Sequence, residues 1–229
     1  MPGRSELPPA APLTLAQRAL LVAVPAAVVG INWFPNHAWR RWVRDLAGHP
    51  AYRGAWMVVE HALLYSTIPA LAALLAWWWL SRRRLVSPPR ESFTLGAHPR
   101  RTVLAGVAGG LAVSAIVLGV VALSGVAPLH AMRFDGWSAL ANMISNLWED
   151  IWFSGLILLA LVAATGRRWA GVVATALVFA AIHTQYPLAF KALVAVNAAL
   201  MGGVRLWTGS LWTAWIIHQL SDMIIDSFL

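Results

Sequence analysis

Residues 137–164 read WSALANMISNLWEDIWFSGLILLALVAA, an apolar run long enough to cross a bilayer that carries two adjacent acids, Glu149 and Asp150, near its middle. A charged side chain at the centre of a membrane helix costs about 2.5–3.5 kcal/mol on insertion scales. An acid at such a position normally faces a polar cavity or a partner, and it marks function. The stretch therefore predicts a membrane helix that carries part of an active site.

The composition of the chain is that of a membrane protein. Of its 229 residues, 59% are hydrophobic and 11% are charged, whereas soluble domains carry about 25% charged residues. The net charge of +8 comes from short arginine clusters between apolar runs, which indicates topology determinants and no nucleic-acid partner. Because the chain has no cysteine, a disulfide framework, a thiolate nucleophile and a cysteine-based metal site are excluded.

The chain is predicted to be an all-α polytopic transmembrane helix bundle with about seven spans and one short interfacial helix. Every apolar run has the length of a helix, and no segment alternates with the period of a strand. The spans are predicted at residues 13–34, 55–80, 102–125, 137–164, 169–186, 188–204 and 208–229. The interfacial helix is predicted at residues 37–48, where apolar residues and arginines are spaced for two faces of a helix.

The bundle is predicted to form one membrane domain with three sections along the chain. Residues 1–12 are a proline-rich tail expected to be disordered, residues 13–101 hold N-terminal helices and a basic connection, and residues 102–229 form the catalytic bundle. The first apolar run is interpreted as an anchor, the alternative being a cleaved signal peptide. The third span is uncharged and rich in glycine and alanine, which predicts close helix packing.

Arginines and tryptophans predict how the bundle sits in the membrane. Trp77–Trp79 followed by Arg82–Arg84 are typical of an aromatic belt backed by cations. With seven spans, 11 of the 17 basic residues fall in segments on the same side of the membrane as the N-terminus. The positive-inside rule therefore predicts a cytoplasmic N-terminus and a C-terminus outside. The chain is expected in a bacterial inner membrane. Glu60 and His61, near the start of the second span, are interpreted as interfacial, the alternative being that they line the same cavity.

Ionisable residues on three late spans are the candidates for chemistry. His218 and Asp222 are four residues apart and share one helix face, as do Phe179 and His183. A buried carboxylate such as Glu149 can act as a general base on a trapped water, and a histidine can orient that water or share its proton. A second histidine with an acid can hydrogen-bond the oxyanion of a tetrahedral intermediate. The set predicts a peptide hydrolase without a covalent intermediate.

Three motifs and a lead-in carry a family resemblance. They are Glu149-Asp150-x-x-x-Ser154, Phe179-x-x-x-His183 and His218-x-x-x-Asp222, the last preceded by RLWTGSLW at residues 205–212. The chain resembles, over residues 139–226, the CPBP family of CAAX-protease and bacteriocin-processing type intramembrane glutamic endopeptidases. The resemblance implies that Glu149 activates water, that His183 assists, and that His218 and Asp222 form the oxyanion site.

The first motif departs from the family pattern. Asp150 stands where the family has a second Glu, and Ser154 stands where it has Arg. Acid and base four residues apart can pair along a helix, whereas a serine supplies no charge. Either Asp150 finds another cation or the chain is a divergent branch with its own substrate. Asp150, Phe179 and Ser154 are therefore predicted to support the site.

The leading hypothesis is an endopeptidase without a cofactor that acts on a membrane-associated protein or peptide, for example in C-terminal processing or sorting of an exported protein. Its partners would be membrane lipid and a membrane-anchored substrate. A second hypothesis is a zinc protease in which Glu149, His183, His218 and Asp222 bind the ion. A third is a non-catalytic immunity factor or scaffold. A fourth is a proton-coupled transporter. Discontinuous helices or repeated halves are expected in that class, and the sequence shows neither.

Overall fold

The computed structural model describes residues 12–31, 38, 39, 41, 54–61, 67–125 and 127–229. The described part of the chain is helical and contains no strand. We number its helices α1 (Leu15–Ile31), α2 (Ala55–Glu60), α3 (Thr67–Arg82), α4 (Pro89–Ser92), α5 (Pro99–Ser124), α6 (Gly136–Thr165), α7 (Arg168–Ile182), α8 (Leu188–Thr208) and α9 (Leu211–Asp226). The all-α prediction is confirmed for these residues.

Three of these helices, α5, α6 and α8, are long and apolar enough to cross a membrane. Two more, α1 and α7, are apolar but shorter, with 17 and 15 residues, and α9 has 16. A bilayer core of about 30 Å calls for roughly 20 helical residues. The chain is thus an integral membrane protein, while the count of seven complete spans stays a prediction.

The predicted tail at residues 1–12 and the predicted interfacial helix lie almost entirely outside the described residues. Of the interfacial helix at 37–48, only residues 38, 39 and 41 are described. The second span is described as α2 and α3, and residues 62–66 between them are not described. The fifth predicted span ends earlier than expected, because α7 stops at Ile182 and the backbone leaves the helical region at His183.

Helix α6 is the central element, and its ends follow from local sequence. The Asp135 carboxylate accepts a hydrogen bond from the Trp137 amide at 2.9 Å, which caps the first turn. Gly166 ends the helix with a left-handed φ of 67°, a conformation that glycine adopts without strain. Between these caps, residues Ile151–Ile157 form a π-helical segment whose seven residues are all buried.

The tryptophan cluster corrects one prediction. Trp77 was expected in an aromatic belt but is fully buried, and its Nε1 donates to the Ser87 carbonyl at 2.8 Å. Its six-membered ring lies against Gly155 of α6, where an added Cβ would come within 2.5 Å of it. Trp78, by contrast, is 56% exposed. A run of three tryptophans on a helix must point in three directions, so one of them faces the core.

Small residues let α5 approach α9, as predicted for the third span. A Cβ added at Gly106 or Gly109 would lie 2.8 Å from the side chain of Ile216 or Ile217, respectively. At Gly110 it would lie 2.9 Å from Leu220. These glycines share one face of α5, so the backbones come close and α9 is held along its length.

The bundle has two distinguishable ends. At the arginine-rich end, the Arg101 guanidinium lies 3.7 Å from the centre of the Trp207 ring, and the Ser210 hydroxyl donates to the Thr94 carbonyl at 2.6 Å. At the opposite end, which we call the cavity end, the backbone amides of His130 and Arg133 donate to carbonyls at the C-terminus. Two of the connections that were predicted on the same side of the membrane, near residues 94–101 and 207–210, therefore meet in space.

Candidate functional site

A cavity of about 190 Å³ opens between α6, α7, α8 and α9, and its wall contains all four predicted catalytic residues. Glu149 comes from α6, His183 from the end of α7, and His218 and Asp222 from α9. Phe179 lines it as well. A water molecule takes up about 30 Å³ in the liquid, so the cavity has room for several waters or for a reacting peptide group and one water.

The two adjacent acids of α6 point to different surroundings. Glu149 is partly exposed, and it faces the cavity. Asp150 is 1% exposed and accepts a hydrogen bond from the Ser154 hydroxyl at 2.7 Å, one turn further along the helix. Its other oxygen lies 3.4 Å from Nδ1 of His218. Asp150 thus uses Ser154 and His218 as partners where the family pattern supplies an arginine.

A second cation lies near Asp150. The Arg205 guanidinium on α8 is 3% exposed and close enough to the Asp150 carboxylate for an electrostatic interaction. Its Nη2 donates to the Ser92 hydroxyl at 2.6 Å. Arg205 therefore adds a buried positive charge to the surroundings of Asp150 from another helix, where position 154 supplies none.

His218 stands between two carboxylates. Its Nδ1 faces Asp150 at 3.4 Å and its Nε2 faces an oxygen of Asp222 at 3.6 Å. Both distances exceed the usual range for a hydrogen bond, so each ring N–H has an acceptor in reach without being tightly bound to it. The same Asp222 oxygen accepts from Nδ2 of Asn146 at 2.9 Å. Because Asp222 holds it only loosely, a hydrogen on Nε2 of His218 can also be donated to a substrate oxygen.

The ring of His183 has a defined hydrogen pattern. Its Nδ1 lies 2.7 Å from the Phe179 carbonyl. A carbonyl oxygen only accepts, so Nδ1 carries the hydrogen and Nε2 of the neutral ring keeps its lone pair. Tyr186 stacks on the ring at 5.8 Å between centroids and 7° between planes. The imidazole is thus held with an acceptor nitrogen available for a water or for the substrate.

Aromatic packing under the two imidazoles gives Phe179 a clear place. Its ring centre lies 4.5 Å from that of His183 and 5.8 Å from that of His218. On its other side it makes an edge contact with Phe153 of the π-helical segment at 4.6 Å. π-Helical turns in α-helices occur frequently at functional sites. Here the segment directly follows Glu149 and Asp150 and places an aromatic floor below the cavity.

Several cavity residues were not predicted. His61, expected at the interface, lines the cavity and its Nδ1 lies 3.1 Å from the Ser145 hydroxyl, while Glu60 is buried. Asn146 also lines the cavity. Asn142, Ser145, Asn146 and Glu149 recur at intervals of three and four residues, which marks one helix face. That polar stripe was the available signal.

The zinc hypothesis stays a prediction. In the part of the chain that the structure describes, no group of three or more His, Asp or Glu side chains is placed to hold a metal ion. The four predicted ligands line one cavity, and His218 lies 3.4 Å from an oxygen of Asp150 and 3.6 Å from one of Asp222.

Comparison with known families gives one match. Residues 132–224 match the model described as type II CAAX prenyl endopeptidase, Rce1-like. The matched segment contains α6 to α9 almost entirely, and with them every predicted catalytic residue. No curated protein and no solved structure gives a match.

Proposed function

Residues 132–224 match the Rce1-like family of type II CAAX prenyl endopeptidases, and from that premise we propose that the chain is an intramembrane endopeptidase in which Glu149 activates the attacking water. The observation that carries the proposal is the shared cavity of Glu149, His183, His218 and Asp222. Four ionisable side chains from three helices converge there inside an apolar bundle, where each such group is costly unless it has a purpose.

In the proposed reaction, the carboxylate of Glu149 takes a proton from water while the water oxygen forms a bond to the carbonyl carbon. The electron pair of the carbonyl moves to its oxygen, which becomes an oxyanion. Nε2 of His183 accepts the second hydrogen of that water in a hydrogen bond and so orients it. Glu149 then passes its proton to the leaving nitrogen and the C–N bond breaks. A carboxylic acid and an amine result, and transfer of the acid's proton to the amine gives a carboxylate and an ammonium group.

His218 is proposed to stabilise the oxyanion through its Nε2–H. An ionised carboxylate has no hydrogen to donate, so Asp222 contributes in a different way. It holds the imidazole on one side and accepts from Asn146 on the other. Asp150 supports the opposite nitrogen of the same ring. The two acids thereby orient His218 and balance its charge when both of its nitrogens carry hydrogen.

The substrate is proposed to be a membrane-associated protein or peptide, for example one whose C-terminal segment is processed or sorted after export. The cavity opens at the end of the bundle opposite the arginine-rich connections. By the positive-inside rule the arginine-rich end is cytoplasmic, so the cavity and the C-terminus are proposed to lie outside. The membrane is proposed to be a bacterial inner membrane.

The test compares wild type with Glu149→Gln and with Glu91→Gln, a control acid that is exposed on α4. Each purified protein is incubated with detergent-solubilised membrane proteins of the expression host, and new N-termini are identified by mass spectrometry. General-base catalysis is worth about 10²–10⁴ in rate. We therefore expect new termini with wild type and Glu91→Gln and none with Glu149→Gln, all three melting alike. Undiminished cleavage by Glu149→Gln would refute the glutamate mechanism.

The same assay separates the zinc alternative. We expect 1,10-phenanthroline and EDTA to leave the cleavage unchanged and elemental analysis to find no stoichiometric zinc in the purified protein. Loss of activity with the chelator and recovery on adding zinc would replace the proposed mechanism with a metal-dependent one.

A further inference from the structure

A second pocket of about 120 Å³ lies beside the cavity, between α5, α8 and α9. Its distinctive wall is apolar and consists of Val117, Phe190, Leu193, Ile225 and Leu229. The polar residues of the pocket wall all lie on the side that the pocket shares with the cavity.

The pocket and the cavity are continuous in their lining. Five residues belong to both walls, namely Tyr186, Val194, Asn197, Asp222 and Asp226. A group attached to a peptide bond that lies beside Asp222 in the cavity can therefore enter the pocket directly. The continuity gives the pocket a definite relation to the reacting bond.

Asn197 stands at the shared wall and has an unused acceptor. It lies in α8, which is otherwise an apolar span with its charges near the ends. Its Oδ1 is buried and has no hydrogen-bond partner among the described residues. A buried polar atom without a partner costs about 1–3 kcal/mol. A substrate backbone that passes this point supplies an N–H for the oxygen, so the cost is removed on binding.

The geometry points to a side-chain subsite: the apolar pocket takes one bulky apolar side chain next to the cleaved bond, and Asn197 binds the backbone beside it. The inference rests on the proposed endopeptidase function. The volume decides the kind of group, because a cavity of about 150 Å³ holds one benzene molecule. The pocket is smaller than that, at about 120 Å³, so a leucine, isoleucine or methionine side chain, each with fewer heavy atoms than benzene, matches it. A farnesyl chain has more than twice the carbons of benzene and does not fit inside.

The test uses a host membrane segment that wild type cleaves, made as a set of peptides that differ only at the residue next to the cleaved bond. One missing methylene in an apolar pocket changes specificity about 10-fold or more. We expect kcat/KM for the leucine peptide to exceed that for alanine at least 10-fold, and a farnesylated cysteine to give no gain over leucine.

Pocket variants decide whether these residues set the preference. Leu193→Phe fills the pocket and should reduce the leucine-to-alanine ratio to about 1, while Phe190→Ala enlarges it and should favour the largest side chains. Val196→Phe is the matched control, because Val196 lies on the same helix and is 49% exposed to the surroundings. It should keep the ratio of wild type.

Asn197→Ala should lower kcat/KM by about tenfold for every peptide alike, since one hydrogen bond to the backbone is lost whatever the side chain. If Leu193→Phe and Phe190→Ala both cleave with the ratio of wild type, the subsite is refuted and the endopeptidase function stands. If wild type cleaves nothing that Glu149→Gln leaves intact, the function itself fails. A loss at Asn197 that depends on the side chain would contradict its role as a backbone anchor.

Discussion

The contact between Gly155 and Trp77 permits a quantitative prediction for the substitution Gly155→Ala. A Cβ at position 155 would lie 2.5 Å from Cζ3 of Trp77 and 3.1 Å from two further ring atoms. Ordinary carbon contacts are about 3.5–4.0 Å, so the ring or the helix would have to move by about 1 Å. Trp77 cannot yield easily, because it is fully buried and its Nε1 is bonded to the Ser87 carbonyl.

Overpacking a well-filled core costs about 1–3 kcal/mol. In chains of 150–250 residues, 1 kcal/mol shifts Tm by about 2–4 °C. Gly155→Ala should therefore lower Tm by roughly 2–12 °C, although alanine is the better helix former by about 1 kcal/mol. The displaced segment begins just after Glu149, so cleavage should fall as well.

The assay is thermal unfolding of the detergent-purified protein, followed by tryptophan fluorescence. Gly119→Ala is the matched control, because a Cβ at that position of α5 meets no atom within 4 Å. We expect its Tm to equal or exceed that of wild type, since only the helix propensity changes.

A double variant identifies the cause of the loss. Trp77→Phe removes the part of the indole ring that would meet the new methyl group. The effects of Gly155→Ala and Trp77→Phe should therefore combine to less than their sum, with a coupling of about 0.5–3 kcal/mol as is usual for residues in contact. A Gly155→Ala protein that melts with wild type, or additive effects in the double variant, would show that the ring does not press on this turn.

Three further predictions concern the site and the orientation of the bundle. Ser154→Ala removes the hydroxyl that donates to buried Asp150 at 2.7 Å and should lower the free energy of unfolding by about 1.5–3 kcal/mol. Ser154→Thr keeps a hydroxyl and should melt near wild type. Equal melting of all three proteins would show that this hydrogen bond is not stabilising. Asp222→Asn keeps an acceptor and adds an N–H, so its rate of peptide cleavage should stay within about tenfold of wild type. Asp222→Leu should lower that rate at least about 100-fold. Equal losses in the two variants would contradict the orienting role of Asp222. The chain has no cysteine, so Leu229→Cys and Arg90→Cys each carry one label site, and an impermeant maleimide on intact cells should label only the first; the reverse pattern would invert the topology.

The sequence predicted the convergence of the site because each motif residue is constrained by helix geometry. Residues four apart on a helix share a face, and an oxygen of Asp222 accordingly lies 3.6 Å from Nε2 of His218. An acid in the middle of an apolar run had to find a polar space, and Glu149 lines the cavity. The glycine-rich composition of α5 likewise allowed its close packing to be predicted.

Other features depend on tertiary contacts that local sequence does not record. The π-helical segment at 151–157 has an ordinary apolar sequence, and nothing in its periodicity distinguishes it from α-helix. Trp77 was assigned to a belt by its neighbours, but its burial depends on the space left by Gly155, 78 positions along the chain. His61 reaches the cavity only because α2 packs beside α6, a pairing that a linear chain of apolar runs leaves open.

Helix lengths explain how water can reach an acid at this depth in the bundle. Helix α6 has 30 residues, about 45 Å at 1.5 Å per residue, and Glu149 lies close to its middle. Helices α7 and α9 have 15 and 16 residues, about 22–24 Å, which is shorter than the bilayer core of about 30 Å. Since α7 starts beside the arginine-rich end and stops at His183, it ends at the cavity. The shorter helices leave room on that side of the bundle, so in the proposed reaction the peptide bond would be cut well below the membrane surface. Such a depth suits a substrate that is itself anchored in the membrane.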